Sequence, residues 1–479
     1  MAKYDANLVV IGAGSGGLVS ALIAAAVKSK VILIERHKMG GDCLNTGCVP
    51  SKALLRSAKI ASYLNRAEEF GIESVDVKPV FSKILKRVHK VIETIEPHDS
   101  VERFTALGVD CVQGDAYIID KHTVRVNGKD IKTKSIIIAA GARPFVPPIK
   151  GIEDVGYLTS DTVWELEEQP KRLVVLGGGP IGCELSQAFA KLGSEVTIVE
   201  MMGQLMGRED QDVADVITQK FKKDGITVLT NHKAAKFTND AGEKVLHCET
   251  SNGTVAIPFD AVLVAVGRQA NSDGMNLEKL GIKLRRNGTI ETDEYLRTAV
   301  PNIFACGDIA GPYQFTHTAS HQAWFATVNA LFGFAKKFKV DYRVIPWATF
   351  TAPEVARVGM SESEAKEQNL AYDVTRYGID DLDRAIADGE AHGFIKVITP
   401  KGKDKVLGVT IVGHHAAELI AEYVLAMKYN IGLNKILGTI HLYPSMAEAN
   451  KFVAGNWKRE HQPHGLLKWV ERFHTWRRG

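Results

Sequence analysis

The chain has 479 residues, a length that calls for about three domains at roughly 150 residues each. Apolar residues at 45% and charged residues at 24% are the balance of a globular protein, and a formal net charge of +3 gives no call for nucleic acid. The opening "MAKYDANLVVIGAGSGG" lacks the features of a secretory signal, and glycines break every later apolar run before it could span a bilayer, so a cytoplasmic setting with reduced thiols is expected.

The first element is an apolar run, "NLVVIGAGSGG", leading into the helical composition "LVSALIAAAVKSK" and then the buried-strand pattern "VILIE". Gly12, Gly14 and Gly17 form G-x-G-x-x-G at the turn. The first permits the bend, the second lets backbone approach a pyrophosphate, and the third lets the helix pack on the sheet. Glu35, at the end of the second strand, is placed to accept hydrogen bonds from a ribose.

Next comes "GGDCLNTGCVPSK", with Cys43 and Cys48 five positions apart. In one straight helix five steps separate Cα atoms by ~7.5 Å, beyond disulfide reach, but Leu44-Asn45-Thr46-Gly47 suits a turn. Pro50 suits the first position of the helix that follows, so Cys48 is expected at or just before its start. There the helix dipole and Lys52, one turn on, should lower the Cys48 pKa. A structural zinc site would want four N or S ligands, and Cys111, Cys183, Cys248 and Cys306 are isolated, so the pair is read as redox-active and no metal site is expected.

The strand-turn-helix-strand unit then recurs in "KRLVVLGGGPIGCELSQAFAKLGSEVTIVE". Gly177, Gly179 and Gly182 repeat the glycine spacing, and Glu200 follows Gly177 at the interval that separates Glu35 from Gly12. Two dinucleotide sites are therefore predicted, with phosphates resting on two helix N-termini. A carboxylate at Glu200 suits a free 2′-hydroxyl, and "EMMGQLMG" offers no adjacent Arg for a 2′-phosphate, which favours NADH over NADPH, although Arg208 lies farther along. The segment near 350–455 mixes apolar helix and strand patterns and reads as a third domain. In the tail, Leu466, Trp469, Val470, Phe473 and Trp476 recur at helical spacing, with Lys468, Arg472, Arg477 and Arg478 around them. That pattern fits a helix docked on its own dimer, or one touching an anionic membrane surface or a protein partner.

A dinucleotide unit, a C-x-x-x-x-C pair directly after it and a second unit downstream resemble the pyridine nucleotide-disulfide oxidoreductases, the flavoprotein family of dihydrolipoamide dehydrogenase, glutathione reductase and mercuric reductase. The likeness runs from about residue 5 to about residue 455 and includes "IIIAAGARP", "LVAVGRQAN", "NIFACGDIAG" and "FTAPEVARVG". It implies an α/β chain with two Rossmann-like domains, FAD-binding over 1–150 and 271–345 and NAD-binding over 151–270. A C-terminal α+β dimerisation domain over 346–455 and a basic tail over 456–479 would follow.

By the same resemblance FAD would meet Gly12, Gly14, Gly17 and Glu35 through its ADP half and Ala116 near the adenine. Asp308 and Thr316 would lie near the ribityl chain. Gly41, Asp42, Gly141, Gly267 and Arg268 are further expected cofactor contacts. Lys52 and Glu184 match an ion pair beside the flavin, Cys48 the flavin-facing sulfur and Cys43 the sulfur that exchanges with substrate. NADH would bind at Gly177, Gly179, Gly182 and Glu200. Two subunits would pair and share residues at each active site. The implied function is electron transfer between NAD(H) and a small disulfide or dithiol, with reduction of a metal ion or quinone as the alternative. A redox-sensing module without turnover is a third reading, disfavoured by the intact relay.

The pattern breaks in two places. Dithiol-acting members carry His-Pro-Thr-x-x-Glu near the C-terminus, whereas this chain reads "IHLYPSMAEANK". Glu448 keeps its place, but the base position is Tyr443, whose free pKa near ~10 makes a poor base, with His441 two residues earlier as a substitute. Tyrosine there resembles mercuric reductase, yet the C-terminal cysteine pair of that relative is missing from "HTWRRG". Asp42 stands where the family commonly has threonine, placing a carboxylate beside Cys43 that would disfavour its thiolate or attract a cation.

Overall fold

The apolar run that opens the chain forms β1 (Ala6–Ile11), followed by α1 (Ser15–Ala26) and β2 (Val31–Glu35). The computed structural model describes residues 3–73, 76, 78–240 and 242–479. These fall into two units, Met1–Leu205 with Phe221–Asp341, and Met206–Lys220 with Tyr342–Gly479.

In the first unit, the short helix α2 (Gly41–Asn45) and the longer α3 (Cys48–Leu64) follow β2. Strands β3 (Val109–Gln113), β4 (Tyr117–Asp120), β5 (Thr123–Val126) and β6 (Lys129–Ile138) complete a sheet ordered β3-β2-β1-β6-β5-β4. β3, β2, β1 and β6 run parallel, and the strand Ile303–Ala305 pairs in parallel with the far end of β6. A parallel sheet is covered on both faces, which is why β1 reads as continuous apolar sequence without polar alternation. Side chains of β1 alternate between two cores: Leu8 and Val10 join Leu18, Ala21 and Ala24 of α1, while Val9 and Ile11 join Ile118, Val124 and Ile309.

The first unit also holds a second parallel sheet, in which Arg172–Leu176 lies between Glu195–Val199 and Ala261–Val264, and Thr227–Leu229 forms the edge. Helix Pro180–Lys191 follows its central strand, as α1 follows β1. Strand Arg268–Ala270 pairs antiparallel with Ala142–Pro144, the segment just beyond β6, and so carries Arg268 past the C-terminal end of β6.

The second unit is built on a five-stranded antiparallel sheet in the order Pro346–Thr349, Glu354–Gly359, Gly408–Gly413, Phe394–Pro400 and Tyr372–Gly378. Tyr423 from helix Ala416–Lys428 and Val453 and Trp457 from helix Glu448–Glu460 fill its core. Residues Met206–Lys220, which sequence position places among the nucleotide-binding residues, group here with the C-terminal segment. The tie is electrostatic. Lys396 is 1% exposed, and its Nζ lies 2.7 Å from Asp210 and 2.9 Å from Asp212. Arg357, equally hidden, approaches Glu209 at 3.4 Å and lies over the Trp347 ring. Burial alone would raise the Asp210 carboxyl, yet Lys396 and the backbone N–H and hydroxyl of Ser363 outweigh it and hold the group below the usual carboxylate range. The tail, beyond a break at Gln462–Pro463, is the helix His464–Arg478.

Because Asp210 is depressed, its contribution to stability is present above the ordinary aspartate pKa of about 3.9 and is lost as pH falls below that. Lys396→Met removes the compensating cation from a buried carboxylate and should destabilise the second unit by about 3–5 kcal/mol near neutral pH. Urea unfolding checks this, and pairing the change with Asp210→Asn should recover part of the loss.

Candidate active site

The two glycine turns are built alike. Gly12 and Gly177 adopt φ of +99° and +102°, and a Cβ on either would stand 2.5 Å from a carbonyl oxygen of the neighbouring strand connection. A Cβ on Gly17 would lie 1.7 Å from Gly12 O, and one on Gly182 2.0 Å from Gly177 O, so both helices pack too closely for any side chain there. Gly14 and Gly179 are the N-caps of their helices, and neither helix has a side-chain cap. The first-turn N–H groups are thus left for an anion, as a dinucleotide pyrophosphate requires.

The strand-end carboxylates match as well. Glu35 accepts from Ala13 N at 2.6 Å and His37 N at 2.8 Å. Glu200 accepts from Gly178 N at 2.6 Å and Met202 N at 2.7 Å. Each carboxylate is anchored beside its glycine turn, which fits the residues to two nucleotides. Gly41, at φ +60°, faces Gly14 backbone to backbone, where a Cβ would come within 2.7 Å of its Cα. Ala116 lies half-buried against the first core, and Gly114, two residues before it, donates its N–H to Glu35 O. Gly141 and Gly267 both hold positive φ, +67° and +142°, and accept from Asn271 N and Phe145 N respectively.

The cysteines sit on two helices separated by a turn. Cys43 lies in α2, and Cys48 is the first residue of α3, with Pro50 two positions further in. The turn is tied down by Asp42 O, which accepts from Thr46 N and Gly47 N, and by Trp164 Nε1, which donates to Thr46 O at 2.7 Å. Thr316 opens the helix Thr316–Phe332, and its hydroxyl lies 3.5 Å from Cys48 Sγ. The two thiols are unequal. A hydrogen bond from Cys43 lowers Cys48 most; burial opposes it, and Thr316 and the Lys52 charge add to the lowering, bringing Cys48 to about 6. The same hydrogen bond, burial and the adjacent Cys48 charge push Cys43 far above the usual thiol range. Cys48 therefore carries the negative charge and Cys43 keeps the proton. One turn along α3, Lys52 Nζ meets Glu184 Oε2 at 2.8 Å, with the Glu184 side chain 7% exposed.

Asp42 does not stand alone beside Cys43. It pairs with Arg268, whose guanidinium also lies 3.4 Å from Asp308 and donates to Ala142 O at 2.7 Å. Burial raises Asp308 to about 6, against the pull of Arg268 and with the charges of Asp42 and Cys48 adding to the rise. Asp161 joins the group by accepting from the Thr46 hydroxyl at 3.2 Å, and burial raises it too. Asp161 and Trp164 escaped sequence reasoning because they lie more than a hundred positions from the cysteine turn in a stretch without a motif. Among the described residues, no group of three or more His, Cys, Asp or Glu side chains is arranged to hold a metal ion.

In the second unit, Tyr443 is 66% exposed and its hydroxyl donates to Asp383 at 3.0 Å, which raises the phenol above its ordinary range. The His441 side chain is 6% exposed, with Nε2 3.0 Å from Glu422 and Nδ1 3.1 Å from Thr439 O. Glu448 accepts from Ser445 N at 3.3 Å. Asp383 and Glu422 are partners that no motif announced.

The family description "Pyridine nucleotide-disulphide oxidoreductase" matches residues 6–323, and its dimerisation domain matches residues 345–453. A dihydrolipoyl dehydrogenase of Chlamydia trachomatis is 36% identical over 450 residues, covering 92% of this chain and 94% of its own. A mercuric reductase of Staphylococcus aureus is 32% identical, over 94% of this chain and 82% of its own. Among solved structures, the HOCl-induced flavoprotein disulfide reductase RclA of Escherichia coli superposes with a TM-score of 0.84 at 28% identity, over 94% of this chain and 99% of its own. With two matched nucleotide turns, an uneven thiol pair and these relatives, the chain belongs to the pyridine nucleotide-disulfide oxidoreductases and is an FAD-dependent, homodimeric oxidoreductase of that family.

Proposed function

We propose that the protein moves electron pairs between NAD(H) and a small-molecule disulfide or dithiol through Cys43 and Cys48, as the name of the dihydrolipoyl dehydrogenase relative suggests. The unequal protonation of the two sulfurs carries this reading. Gly12, Gly14, Gly17, Glu35 and Gly41 would hold the ADP part of FAD, with Ala116, Gly141, Asp308 and Thr316 along the rest; bound there, FAD accepts and returns an electron pair. Asp42 and Arg268 hold one another at that site. Lys52, held by Glu184 one turn from Cys48, biases that sulfur toward thiolate.

In the disulfide-reducing direction, Cys43 Sγ attacks one sulfur of the substrate and the other sulfur leaves as a thiol, taking a proton. Cys48 then attacks Cys43 Sγ, closes the Cys43–Cys48 disulfide and releases the second thiol. Two electrons leave the pair, the Cys43 proton ends on one product thiol, and solvent supplies the proton of the other. For attack, the Cys43 proton must move, and its hydrogen-bond acceptor is Cys48. Tyr443, raised above an already high pKa, holds its proton at neutral pH and acts in this reading as a hydrogen-bond donor. His441 is held by the Glu422 carboxylate and Glu448 accepts from the Ser445 backbone N–H, so both serve as supports for that loop.

Glu200, anchored as Glu35 is, supports NADH over NADPH at Gly177, Gly179 and Gly182, with Gly267 near the same cofactor path. A cytoplasmic setting and a peripheral contact of the tail, 456–479, with a membrane or a protein complete the reading. The loss of a base at Tyr443, together with the existence of a Cu(II) complex of the RclA neighbour, favours metal-ion reduction as the second reading.

An anaerobic panel of lipoamide, dihydrolipoamide, glutathione disulfide, mercuric ion, cupric ion and quinones separates the two. Disulfide turnover with NADH should fall by about a thousandfold or more in both Cys43→Ser and Cys48→Ser, as for other covalent nucleophiles. Turnover confined to metal ions would leave the second reading standing, and disulfide turnover surviving either substitution contradicts the first. Thr316→Val removes a hydrogen bond to Cys48 and should raise the acidic limb of the pH–rate profile by about 0.4–1 pH unit. Asp42→Asn removes an opposing charge and should move the same limb down.

A further inference from the structure

We propose that the tail helix, His464–Arg478, binds along an anionic membrane surface. This rests on the peripheral-contact reading of the tail and commits it to lipid. The helix adds nothing to the core of the chain that carries it: none of its residues is buried, and Trp476, Trp469 and Leu466 are 76%, 62% and 56% exposed. At roughly 100° per residue, Leu466, Trp469, Val470, Phe473 and Trp476 share one stripe about a third of the way round, with Lys468, Arg472 and Arg478 outside it. The Trp469 and Phe473 rings stack at 5.9 Å along this stripe.

Charge decides what covers it. From His464 to the end, four basic residues face one acidic residue, Glu471, an excess equal to the formal +3 of the whole chain. Everything before the helix balances to zero. Pairing this helix with its copy would set like charges side by side, which is unfavourable. An anionic headgroup layer instead neutralises the basic residues while the indole and phenyl rings enter the boundary beneath it. Fifteen residues extend about 22 Å, short of a hydrocarbon core of about 30 Å, so the helix lies in the plane of the surface. Among the described residues no helix is long and apolar enough to cross a membrane.

Co-sedimentation of the full-length holoenzyme with vesicles of phosphatidylcholine alone, or mixed with phosphatidylglycerol, tests the assignment. The expected result is about tenfold more pelleting on the anionic vesicles, reduced by high salt, and abolished in Trp469→Glu/Trp476→Glu and in Arg477→Glu/Arg478→Glu with NADH-linked turnover unchanged. Hydrogen exchange of the tail amides in the free enzyme separates two kinds of failure. Fast exchange with equal pelleting on both vesicles would overturn the lipid assignment alone and point to an acidic protein partner. Strong protection in the free enzyme would show the helix packed on its own dimer and overturn the peripheral contact itself.

Discussion

The uneven protonation of Cys43 and Cys48 is the constraint on which the proposed chemistry depends. Two chemically identical side chains become different reagents because one begins a helix, beside a lysine and a threonine hydroxyl, while the other is left with the proton. The break between α2 and α3 makes this arrangement available. A continuous helix would hold the sulfurs apart; the turn at Thr46–Gly47, tied to Asp42 O and Trp164, lets them meet. The surrounding fold can be read as the means of holding that turn still: β1, β2 and β6 fix one glycine loop, and Arg172–Leu176 fixes the other.

The repeated units were readable because backbone demands are local. Only glycine tolerates φ near +100° under a carbonyl 2.5 Å away, so the turns at Gly12 and Gly177 announce themselves, and a glutamate at a constant interval marks each strand end. The position of Cys48 at a helix start was readable too, although the helix begins two residues before Pro50, since proline tolerates any of the first-turn positions where no backbone donor is needed. What stayed hidden depends on partners far along the chain. Asp42 looked like an isolated carboxylate beside a thiol, and only the fold shows Arg268 against it, drawn in by the pairing of Arg268–Ala270 with Ala142–Pro144. Likewise nothing near Tyr443 or His441 in sequence foretold Asp383 or Glu422.

Buried charge recurs as a structural device in this molecule. Arg268 draws three carboxylates around the thiol turn, two of them raised by burial, and Lys396 ties Asp210 and Asp212 into the second unit. Such pairs contribute little net stability compared with apolar packing, but each is costly to break from one side, so they fix where a segment sits. Around the cysteines this has a chemical consequence. The Asp42 carboxylate opposes the thiolate, so the charge on Cys48 is set by a balance of Cys43, Thr316 and Lys52 against burial and Asp42.

The most direct test of that balance is the ultraviolet thiolate absorbance of the reduced protein followed against pH, with Cys48→Ser as the blank. The account predicts one thiolate appearing near pH 6 and a rise of its midpoint in Cys43→Ala, where the largest stabilising hydrogen bond is gone. A midpoint near the ordinary thiol value of about 8.5, or no change in Cys43→Ala, would contradict it.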